Sequence, residues 1–359
     1  MAAPPDSLIR IIDDARWAPS GDNTQPWHIE IVDAHHLRVH GADTRDHCVY
    51  DLDGHSSHLA HGALIETLAI AATAQGARAD ITREPGSTDT HPVYRVVLED
   101  GVGGNVDSLY EYIRLRSVQR RPLSTRKLED AHRQTLHDAV APHYKVIWFE
   151  GAEKRRMAAL MFANAKLRLT LPEAYPVHRD IIDWNARFSS DKVPDQALGL
   201  DPGTLKLMRW VMGSWNRVRF FNTYLAGHLV PRLEMDWLPG LMCAAHFGLV
   251  ASRPARSVDD YVAAGRALQR FWLTATRLGL QLQPEQTPLI FDRYLRQGRA
   301  FTTRPELVAY AANLATRLRS RLPAGAAGHT VFLGRLGYGV AASSRSLRLD
   351  AERLIKTGT

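Results

Sequence analysis

The sequence predicts an α+β protein of two fused, related units, each a mixed sheet flanked by helices, and three observations lead to this fold class. Two similar helical stretches lie far apart in the chain, His61 to Gly76 (HGALIETLAIAATAQG) and Ala264 to Gly279 (AGRALQRFWLTATRLG). A strand-like run rich in β-branched and aromatic residues follows each one, His91 to Glu99 and His329 to Gly337. The 359 residues, 45% of them apolar, suffice for a large core or for two domains of ordinary size.

The repeated stretches are predicted to be helical because their apolar residues share one helical face. In the second stretch, Leu268, Phe271, Trp272 and Ala275 recur at the i, i+3, i+4, i+7 spacing of a helix that buries one side. The glycine that closes each stretch suits the end of a helix, where the backbone needs a positive φ.

Each unit is also predicted to open with a helix, over Asp6 to Trp17 in the first and about Val106 to Leu115 in the second. Between them, Glu99 to Asn105 (EDGVGGN) is typical of a Gly-rich turn or linker. It is not a dinucleotide-binding fingerprint, because the third glycine is missing. The predicted units are therefore residues 1–104 and 105–359.

The second unit is the longer one, and its extra length is an insertion at about residues 152–252. Three stretches of the insertion are predicted to be helical, Met157 to Leu171, Thr204 to Leu225 and the region Trp237 to Val250. They are rich in Met, Trp and Phe. Such a segment is either part of the core or a lid over a flat aromatic ligand, and the sequence leaves both alternatives open.

Composition and charge narrow the class of protein. Only Cys48 and Cys243 are present, which excludes a disulfide framework and favours a reducing, cytoplasmic location. No signal-peptide core and no run of membrane-spanning length is found, so no membrane partner is expected. The net charge of +7 comes from scattered arginines without a basic stripe, so no nucleic-acid partner is expected either. A few arginines that converge on one phosphate remain compatible with this charge.

A metal site is not expected. His55, His58 and His61 invite a zinc interpretation, with Cys48 upstream, but the i, i+3, i+6 spacing does not keep three side chains on one helical face. We therefore expect a polar helix start there. The sequence also lacks a Walker-type phosphate loop and a G-x-S-x-G nucleophile motif.

The clearest motif is Ala15 to Val32, ARWAPSGDNTQPWHIEIV. Pro19 and Pro26 bracket a polar turn that cannot stay helical, and Ser20, Asn23 and Gln25 offer donors and acceptors within it. The string resembles the segment of the nitroreductase-like FMN flavoprotein superfamily in which a first helix ends at Ala-Pro-Ser and Asn-x-Gln-Pro-Trp follows. The resemblance implies that the three polar residues bind the ribityl chain and ring edge of FMN.

A second motif, Arg116 to Leu123 (RSVQRRPL), resembles the Arg-rich start of the same superfamily. The resemblance implies that Arg116, Ser117 and Arg120 hold the FMN phosphate and ribityl chain. The planar guanidinium fork of arginine suits phosphate oxygens. Val118 departs from the superfamily, which often has a hydroxyl residue there.

Two further stretches complete the resemblance. Leu278 to Pro288 (LGLQLQPEQTP) resembles the loop that faces the flavin ring, which implies Pro284, Glu285 and Gln286 as ring contacts. Gly334 to Arg348 (GRLGYGVAASSRSLR) resembles the closing strand with the arginine that finishes the phosphate site. Arg345 is the first candidate for that arginine, and Arg335 is the second. No catalytic acid or base is identified.

The distribution of these motifs is informative, because each unit has lost a different part. The first unit has the Asn-x-Gln-Pro-Trp turn but only Arg10 near its start, whereas the second has the Arg-rich start and, over His137 to Glu150, no such turn. In ordinary nitroreductases two subunits build each flavin site together. The pattern therefore resembles the Acg-type tandem family, in which one chain mimics that dimer. Tyr50 to Leu64 fits this family too.

The resemblance implies a nitroreductase-like fold arranged as an intramolecular pseudo-dimer with one composite FMN site. The implied function is an FMN-dependent oxidoreductase that transfers hydride through flavin N5 between a reductant such as NAD(P)H and a small organic substrate. The alternative is a catalytically silent protein that sequesters flavin under its own lid. A monomeric pseudo-dimer and a homodimer of it both remain open.

Overall fold

The computed structural model describes residues 5–101 and 104–356 and contains two larger sheets, each covered by helices. The first part of the chain forms α1 (Asp6–Ala15), β1 (Trp27–Ile31), β2 (His36–Gly41), α2 (His55–Thr73), β3 (Ala77–Arg83) and β4 (Val93–Asp100). The predicted Gly-rich linker follows β4, and its residues 102 and 103 lie outside the described residues.

The second part of the chain is longer and mostly helical. Up to the end of the insertion it forms α3 (Asp130–Asp138), β5 (Tyr144–Phe149), α4 (Gly151–Thr170), α5 (Ala174–Ile181), β6 (Ile182–Asp183), β7 (Phe188–Ser189), β8 (Val193–Pro194), α6 (Pro202–Met212), α7 (Trp215–Tyr224), α8 (Leu229–Arg232), α9 (Leu238–Leu241) and β9 (Ala245–Ala251). It continues with α10 (Val258–Arg277), β10 (Leu280–Pro284), α11 (Thr287–Gln297), α12 (Pro305–Arg319), β11 (Thr330–Tyr338), β12 (Arg345–Ser346), α13 (Ala351–Leu354) and β13 (Ile355–Lys356).

The two sheets are built from different parts of the chain, except that the last strand, β13, joins the first sheet. The first has the strand order β13-β1-β2-β4-β3, and the second has the order β10-β11-β9-β5. Neighbouring strands are antiparallel, except that β13 pairs with β1 in parallel. The end of the chain thus crosses from the second unit to the edge of the first sheet. The insertion leaves the second sheet after β5 and returns to it at β9, its neighbour.

The two long helices α2 and α10 pack against each other between the sheets. A Cβ added to Gly62 would lie 2.0 Å from the carbonyl oxygen of Val262, and one added to Gly265 would lie 2.0 Å from that of Leu59. Each glycine therefore meets the backbone three residues before the other glycine. Such an exchange of contacts is what a two-fold axis produces. Only residues without a side chain allow the helices to come this close.

The α+β class with mixed sheets flanked by helices is confirmed, and most predicted elements are present. The helix and the strand predicted in each repeat correspond to α2 with β4 and to α10 with β11. The segment Met157 to Leu171 lies within α4 except for Leu171, which follows the last helical residue. The segment Thr204 to Leu225 forms two helices, α6 and α7, which meet at Gly213.

Two predicted helices are wrong. Within 106–115 the structure has only a short 3-10 turn, Tyr110–Tyr112, because the Asp107 carboxylate accepts from the Leu109 backbone N–H and fixes a turn instead. The region Trp237 to Val250 contains only the four-residue α9 and then β9. Strand β9 lies between β11 and β5 and is buried over most of its length. Its residues are therefore apolar on both faces, and such a run lacks the alternation of apolar and polar residues that distinguishes a strand from a helix in a sequence.

Within the described ranges, no helix combines the length and the apolar character that crossing a bilayer requires.

Candidate functional site

A cavity of about 850 Å³ lies between the two units. This volume is in the upper part of the range of about 300–1,000 Å³ that ligand pockets occupy. Ten of the eleven residues predicted to bind a cofactor line it, namely Ser20, Asn23, Arg116, Ser117, Arg120, Pro284, Glu285, Gln286, Arg335 and Arg345. They come from four distant stretches of chain, so the fold brings together what the sequence separates.

Gln25 is the exception, because it does not line the cavity. Its side-chain amide donates to the Ser190 carbonyl oxygen at 2.9 Å and to that of Asn23 at 3.1 Å. Its side-chain oxygen accepts from the Leu349 backbone N–H at 2.9 Å. Gln25 therefore ties the turn to the insertion and to the end of the chain. Its predicted contact with a cofactor stays a prediction.

The turn that carries Ser20 and Asn23 has an unusual backbone. Asp22, Asn23 and Gln25 have φ values of 51°, 64° and 47°. These values lie in the left-handed region, which residues other than glycine seldom adopt. The Ser20 hydroxyl accepts from the Gln25 backbone N–H at 2.9 Å and helps to hold this conformation. A hydrogen bond also holds Pro26, because its carbonyl oxygen lies 2.9 Å from Nε2 of His61. Backbone strain of this kind is concentrated at functional sites.

Arg116 lines the cavity and is 2% exposed. The segment that carries it runs beside β10, where the Gln119 N–H donates to the Leu282 carbonyl oxygen at 3.0 Å. The Arg116 guanidinium stacks 4.7 Å from the ring centroid of Trp272 and donates from Nη2 to the Trp17 carbonyl oxygen at 2.8 Å. Its Nε is buried and has no partner among the described residues.

Two arginines from the end of the chain lie beside Arg116. Arg345 stacks 5.0 Å from the centroid of the Trp17 ring, and its Nε is also buried without a partner among the described residues. Arg348 is buried and donates from Nε to the Ala18 carbonyl oxygen at 2.8 Å. We call Arg116, Arg345 and Arg348 the arginine cluster. Arg348 was not predicted as a site residue, although it lies only three positions after Arg345.

The arginine cluster carries positive charge that the described residues do not neutralise. In the described parts of the chain, none of its three members has a carboxylate within ion-pair distance. Burial holds the pKa of Arg116 well below its usual value, and Arg348 and Arg345 lower it further. Burial likewise lowers the pKa of Arg348 to about 9. A bound dianion such as a phosphate would supply both the missing charge and the missing acceptors.

Arg120 lies elsewhere in the cavity. It donates from Nη1 to the Ala197 carbonyl oxygen at 3.2 Å. Burial lowers its pKa to about 10, the Asp22 carboxylate opposes that shift, and Arg335 and Arg168 add to it. The geometry therefore groups Arg116 with Arg345 and Arg348, whereas Arg120 faces Asp22.

Glu285 and Arg335 form a buried ionic group with His246, which we call the His-Glu-Arg triad. The Glu285 carboxylate lies 2.6 Å from Nδ1 of His246 and accepts from Nη1 of Arg335 at 2.9 Å. Nε2 of His246 lies 3.0 Å from the Gly240 carbonyl oxygen, so both ring nitrogens face acceptors. Arg335 also donates to the Met235 carbonyl oxygen at 3.4 Å. The triad thus joins the loop at Pro284–Gln286 to the end of the insertion.

The geometry of the triad requires a charged His246. Burial by itself would lower the pKa of His246, but the Glu285 carboxylate and the Cys243 thiol outweigh it and raise the pKa to about 10. Burial acts to raise the pKa of Glu285, and the charges of His246 and Arg335 bring it below its usual value.

A pH prediction follows from His246. A raised pKa in the folded state stabilises the protein fully below the unfolded value of 6.5, and this contribution is lost as the pH rises toward 10. Relative to His246→Gln, the free energy of unfolding of the native protein should fall between these pH values by up to about 1.4 kcal/mol per pH unit. Urea unfolding at several pH values measures this difference.

His61 supplies the matched control, because it is equally buried but neutral. Burial lowers its pKa to about 4, so its contribution varies below pH 6.5 and is constant above. His61→Gln should therefore give a flat difference over the interval in which His246→Gln gives a slope. Equal slopes for the two variants would contradict a charged His246.

Further polar groups line the cavity, and those from the insertion were not part of any predicted motif. The Tyr50 hydroxyl forms a hydrogen bond of 2.9 Å with Nε2 of His178, and burial lowers the pKa of His178 to about 3. Arg168 donates to Asp236 at 3.0 Å. Burial raises the pKa of Asp236, and also that of Asp22 in the turn. The sequence signalled only Asp22 and Tyr50, which lie inside the quoted motifs.

The histidines near the start of α2 have ordinary structural roles. Nε2 of His58 lies 2.9 Å from the Asp89 carbonyl oxygen, and His55 stacks on the Tyr261 ring at 3.7 Å. A search of the described residues finds no group of three or more His, Cys, Asp or Glu side chains that could hold a metal ion.

The structure is thus an α+β protein with a cavity lined by arginines and by residues from both larger parts of the chain. No family model matches the chain. "Uncharacterized protein MT1398" of Mycobacterium tuberculosis (strain CDC 1551 / Oshkosh) is 24% identical over 331 residues, which cover 89% of this chain and 44% of that protein. The chain therefore spans less than half the length of this curated relative.

Three solved structures are similar to the chain at low identity. The nitroreductase-like family protein from Bacillus cereus has a TM-score of 0.33 and 12% identity, over 69% of this chain and 95% of that one. The FMN-dependent nitroreductase NfnB from Mycobacterium smegmatis in complex with NADPH has a TM-score of 0.36 and 14% identity, over 69% of this chain and 97% of that one. The nitroreductase with bound FMN from Bacteroides fragilis has a TM-score of 0.29 and 13% identity, over 65% of this chain and 89% of that one.

Proposed function

We propose that this chain is a nitroreductase-like, FMN-dependent oxidoreductase with one flavin site in the cavity between its two units. The observation that carries the proposal is the arginine cluster, which has no carboxylate partner among the described residues and lies in the same cavity as the Asn-x-Gln-Pro-Trp turn. An isolated cationic cluster suits many anions. Its combination with that turn and with the loop Pro284–Gln286 matches the motif set that the sequence resemblance associates with FMN.

We further propose that the two units form an intramolecular pseudo-dimer, divided near residues 104 and 105. The exchange of contacts between Gly62 and Gly265 supports this arrangement, because it relates the two repeated helices to each other. The single set of motifs supports one functional flavin site. A cytoplasmic location, and a monomer or a homodimer as the assembly, belong to the same proposal.

The residues of the cavity fit FMN at both of its ends. Arg116, Arg345 and Arg348 would hold the phosphate, and their buried Nε atoms include unused donors. Ser20, Asn23 and Ser117 line the part next to the turn and would bind the ribityl hydroxyls. Gln286 has a buried side-chain amide nitrogen without a partner in the described chain and would donate to the ring edge.

FMN, when bound, supplies hydride transfer chemistry at its ring, and the protein supplies position and exclusion of water. Leu268 and Trp272 of α10 give the cavity an apolar wall. Asp22 lines the cavity, and burial raises the pKa of its carboxyl group, which favours the protonated form. The substrate would be a small organic molecule and the reductant NAD(P)H.

The test is a visible absorption spectrum of the purified protein, followed by anaerobic NADPH in the same cuvette. Flavin bands that NADPH bleaches are expected, because a bound and accessible flavin accepts hydride. The control is dithionite, a chemical reductant that reduces a bound flavin whether or not the protein binds NADPH. A protein that shows no flavin bands even after FMN is added and free FMN removed would contradict the proposal.

One observation favours a second candidate, a catalytically silent flavin-binding protein. Apolar side chains of the insertion line the cavity, among them Met208, Val211, Trp215, Val218 and Phe221. A lid of this composition could shield the flavin from NADPH. Bands that persist with NADPH but bleach with dithionite would favour this candidate, or a reductant other than NADPH.

A further inference from the structure

The insertion exposes several large apolar side chains. We call residues 202–230, which contain α6 and α7, the lid hairpin. Its exposed apolar side chains that do not line the cavity are Trp210, Phe220, Tyr224 and Leu229, whereas Leu207, Leu225 and Val230 are exposed and also line the cavity. Tyr224 is 73% exposed. The ring centroids of Phe220 and Tyr224 lie 5.2 Å apart, and those of Trp210 and Phe221 lie 5.8 Å apart, so the aromatic side chains form one cluster. Contiguous exposed apolar surface of this kind marks an interaction site.

The charged side chains within residues 202–230 are all cations, and the Asp201 and Glu234 carboxylates accept from Thr204 at the start of the hairpin. Lys206, Arg209, Arg217 and Arg219 are exposed, and residues 202–230 contain no Asp or Glu. Arg217 stacks 4.5 Å from the centroid of the Trp210 ring and donates to the Trp210 carbonyl oxygen at 3.0 Å. Helices that combine Trp, Phe and Leu with Lys and Arg are typical of segments that lie in a membrane interface.

The charge distribution selects among possible occupants. In a symmetric dimer the same surface of both copies would meet, and four cations would face four. Like charges in an interface oppose association. An anionic lipid surface is complementary to the charges and also accepts the aromatic cluster at headgroup depth.

We propose that the lid hairpin docks the protein onto an anionic membrane surface. This goes beyond the proposed oxidoreductase activity and does not require bound FMN. The lack of a membrane-spanning helix in the described chain does not bear on it, because a helix in the interface needs only one apolar face. The inner side of the hairpin lines the cavity, so docking would bring the apolar rim of the cavity to the lipid. Hydrophobic molecules dissolved in the membrane are then the class of substrate that reaches it.

The test is co-flotation of the full-length protein, as purified, with vesicles. One set consists of phosphatidylcholine and the other of three parts phosphatidylcholine to one part phosphatidylglycerol. We expect binding to the anionic vesicles only, and weaker binding at high salt. The double variant Arg209→Glu/Arg219→Glu should lower the affinity by roughly fivefold or more for each cation lost.

Matched variants separate the hairpin from the basic charge of the whole protein. Lys145→Glu/Arg95→Glu reverses two exposed cations on the sheets and should leave vesicle binding largely unchanged. Phe220→Ser/Tyr224→Ser should abolish most binding, whereas Val340→Ser, at an apolar residue that is 83% exposed outside the hairpin, should not.

Three results would overturn the proposal. One is the absence of co-flotation with anionic vesicles, and another is equal loss of binding in the sheet variants and the hairpin variants. The third is a dimer in the absence of lipid that Phe220→Ser/Tyr224→Ser converts to monomer, because the face would then join two copies of the chain. Flavin absorbance of the same samples reports on the proposed function separately, so failure of one proposal is distinguishable from failure of the other.

Discussion

Replacement of Arg116 by methionine is expected to weaken FMN binding by about 2–3 kcal/mol, which is roughly 30- to 160-fold in Kd. The expected loss is large because a buried guanidinium and a phosphate form charge-assisted hydrogen bonds in a site that excludes water. Methionine keeps the length of the apolar stem, so the variant removes the charge and donors while retaining most of the packing. Titration of the apoprotein with FMN, followed by flavin fluorescence, measures the change.

The same substitution should affect stability in the opposite sense. Arg116 is buried beside two other arginines, and the described residues offer it no carboxylate, so its charge opposes folding when no anion is bound. The free energy of unfolding of the apoprotein should therefore be unchanged or higher in Arg116→Met. Stability and affinity moving in opposite directions is the signature of a binding residue, since a purely structural residue would lower both.

Arg10→Met is the matched control, because Arg10 is an exposed arginine near the start of the first unit. It should leave FMN affinity and stability within about 0.5 kcal/mol of the native values. An Arg116→Met protein that binds FMN as tightly as the native protein would remove the main support for the phosphate site.

Replacement of Gly62 by alanine is expected to destabilise the protein by about 3 kcal/mol. The added methyl group would lie 2.0 Å from the Val262 carbonyl oxygen, so helices α2 and α10 must separate. Overpacking normally costs about 1–3 kcal/mol, and a clash with backbone is at the upper end because no side chain can move aside. Helix propensity alone would favour alanine by about 1 kcal/mol, so the sign of the effect distinguishes the two contributions.

Gly265→Ala should have a similar cost, since it meets the Leu59 carbonyl oxygen at the same distance. The double variant should cost less than the sum of the two, because the first alanine already separates the helices. Gly328→Ala, at a glycine with no atom within 4 Å of the added Cβ, should be nearly neutral. Urea unfolding measures all four proteins. Additive costs for Gly62 and Gly265 would show that the two glycines do not share one contact.

Local sequence patterns predicted the elements whose residues repeat with a clear period. Helix α10 buries one face over several turns, and β4 and β11 are rich in residues that favour strands, so these elements were predictable. Helix α2 was predicted as a helix, but it is buried on nearly all sides, so the one-sided burial expected of it was wrong. Strand β9 was not predictable, because a central strand that is largely buried has the same apolar run as a helix. The turn at Tyr110 depends on an aspartate side chain, which a periodicity argument ignores.

The site was predictable where its residues lie in contiguous motifs. Ser20, Asn23 and Arg116 belong to such strings, and all three line the cavity. Arg348 was missed because its position depends on the end of the chain crossing to the first sheet, which is a long-range event without a local pattern. Gln25 lies in the same string but does not line the cavity, and its side chain ties the turn to Ser190 and Leu349.

The crossing of the chain end has a consequence for biosynthesis. Arg345 and Arg348 are translated more than 200 residues after Arg116, and both contact residues that follow α1. Arg345 stacks on Trp17, and Arg348 donates to the Ala18 carbonyl oxygen. At about 5–20 residues per second, a ribosome needs on the order of 10–50 s between these points. The nascent chain therefore lacks two of the three arginines of the arginine cluster for that time, and under the proposed function the phosphate site can form only once both have been translated.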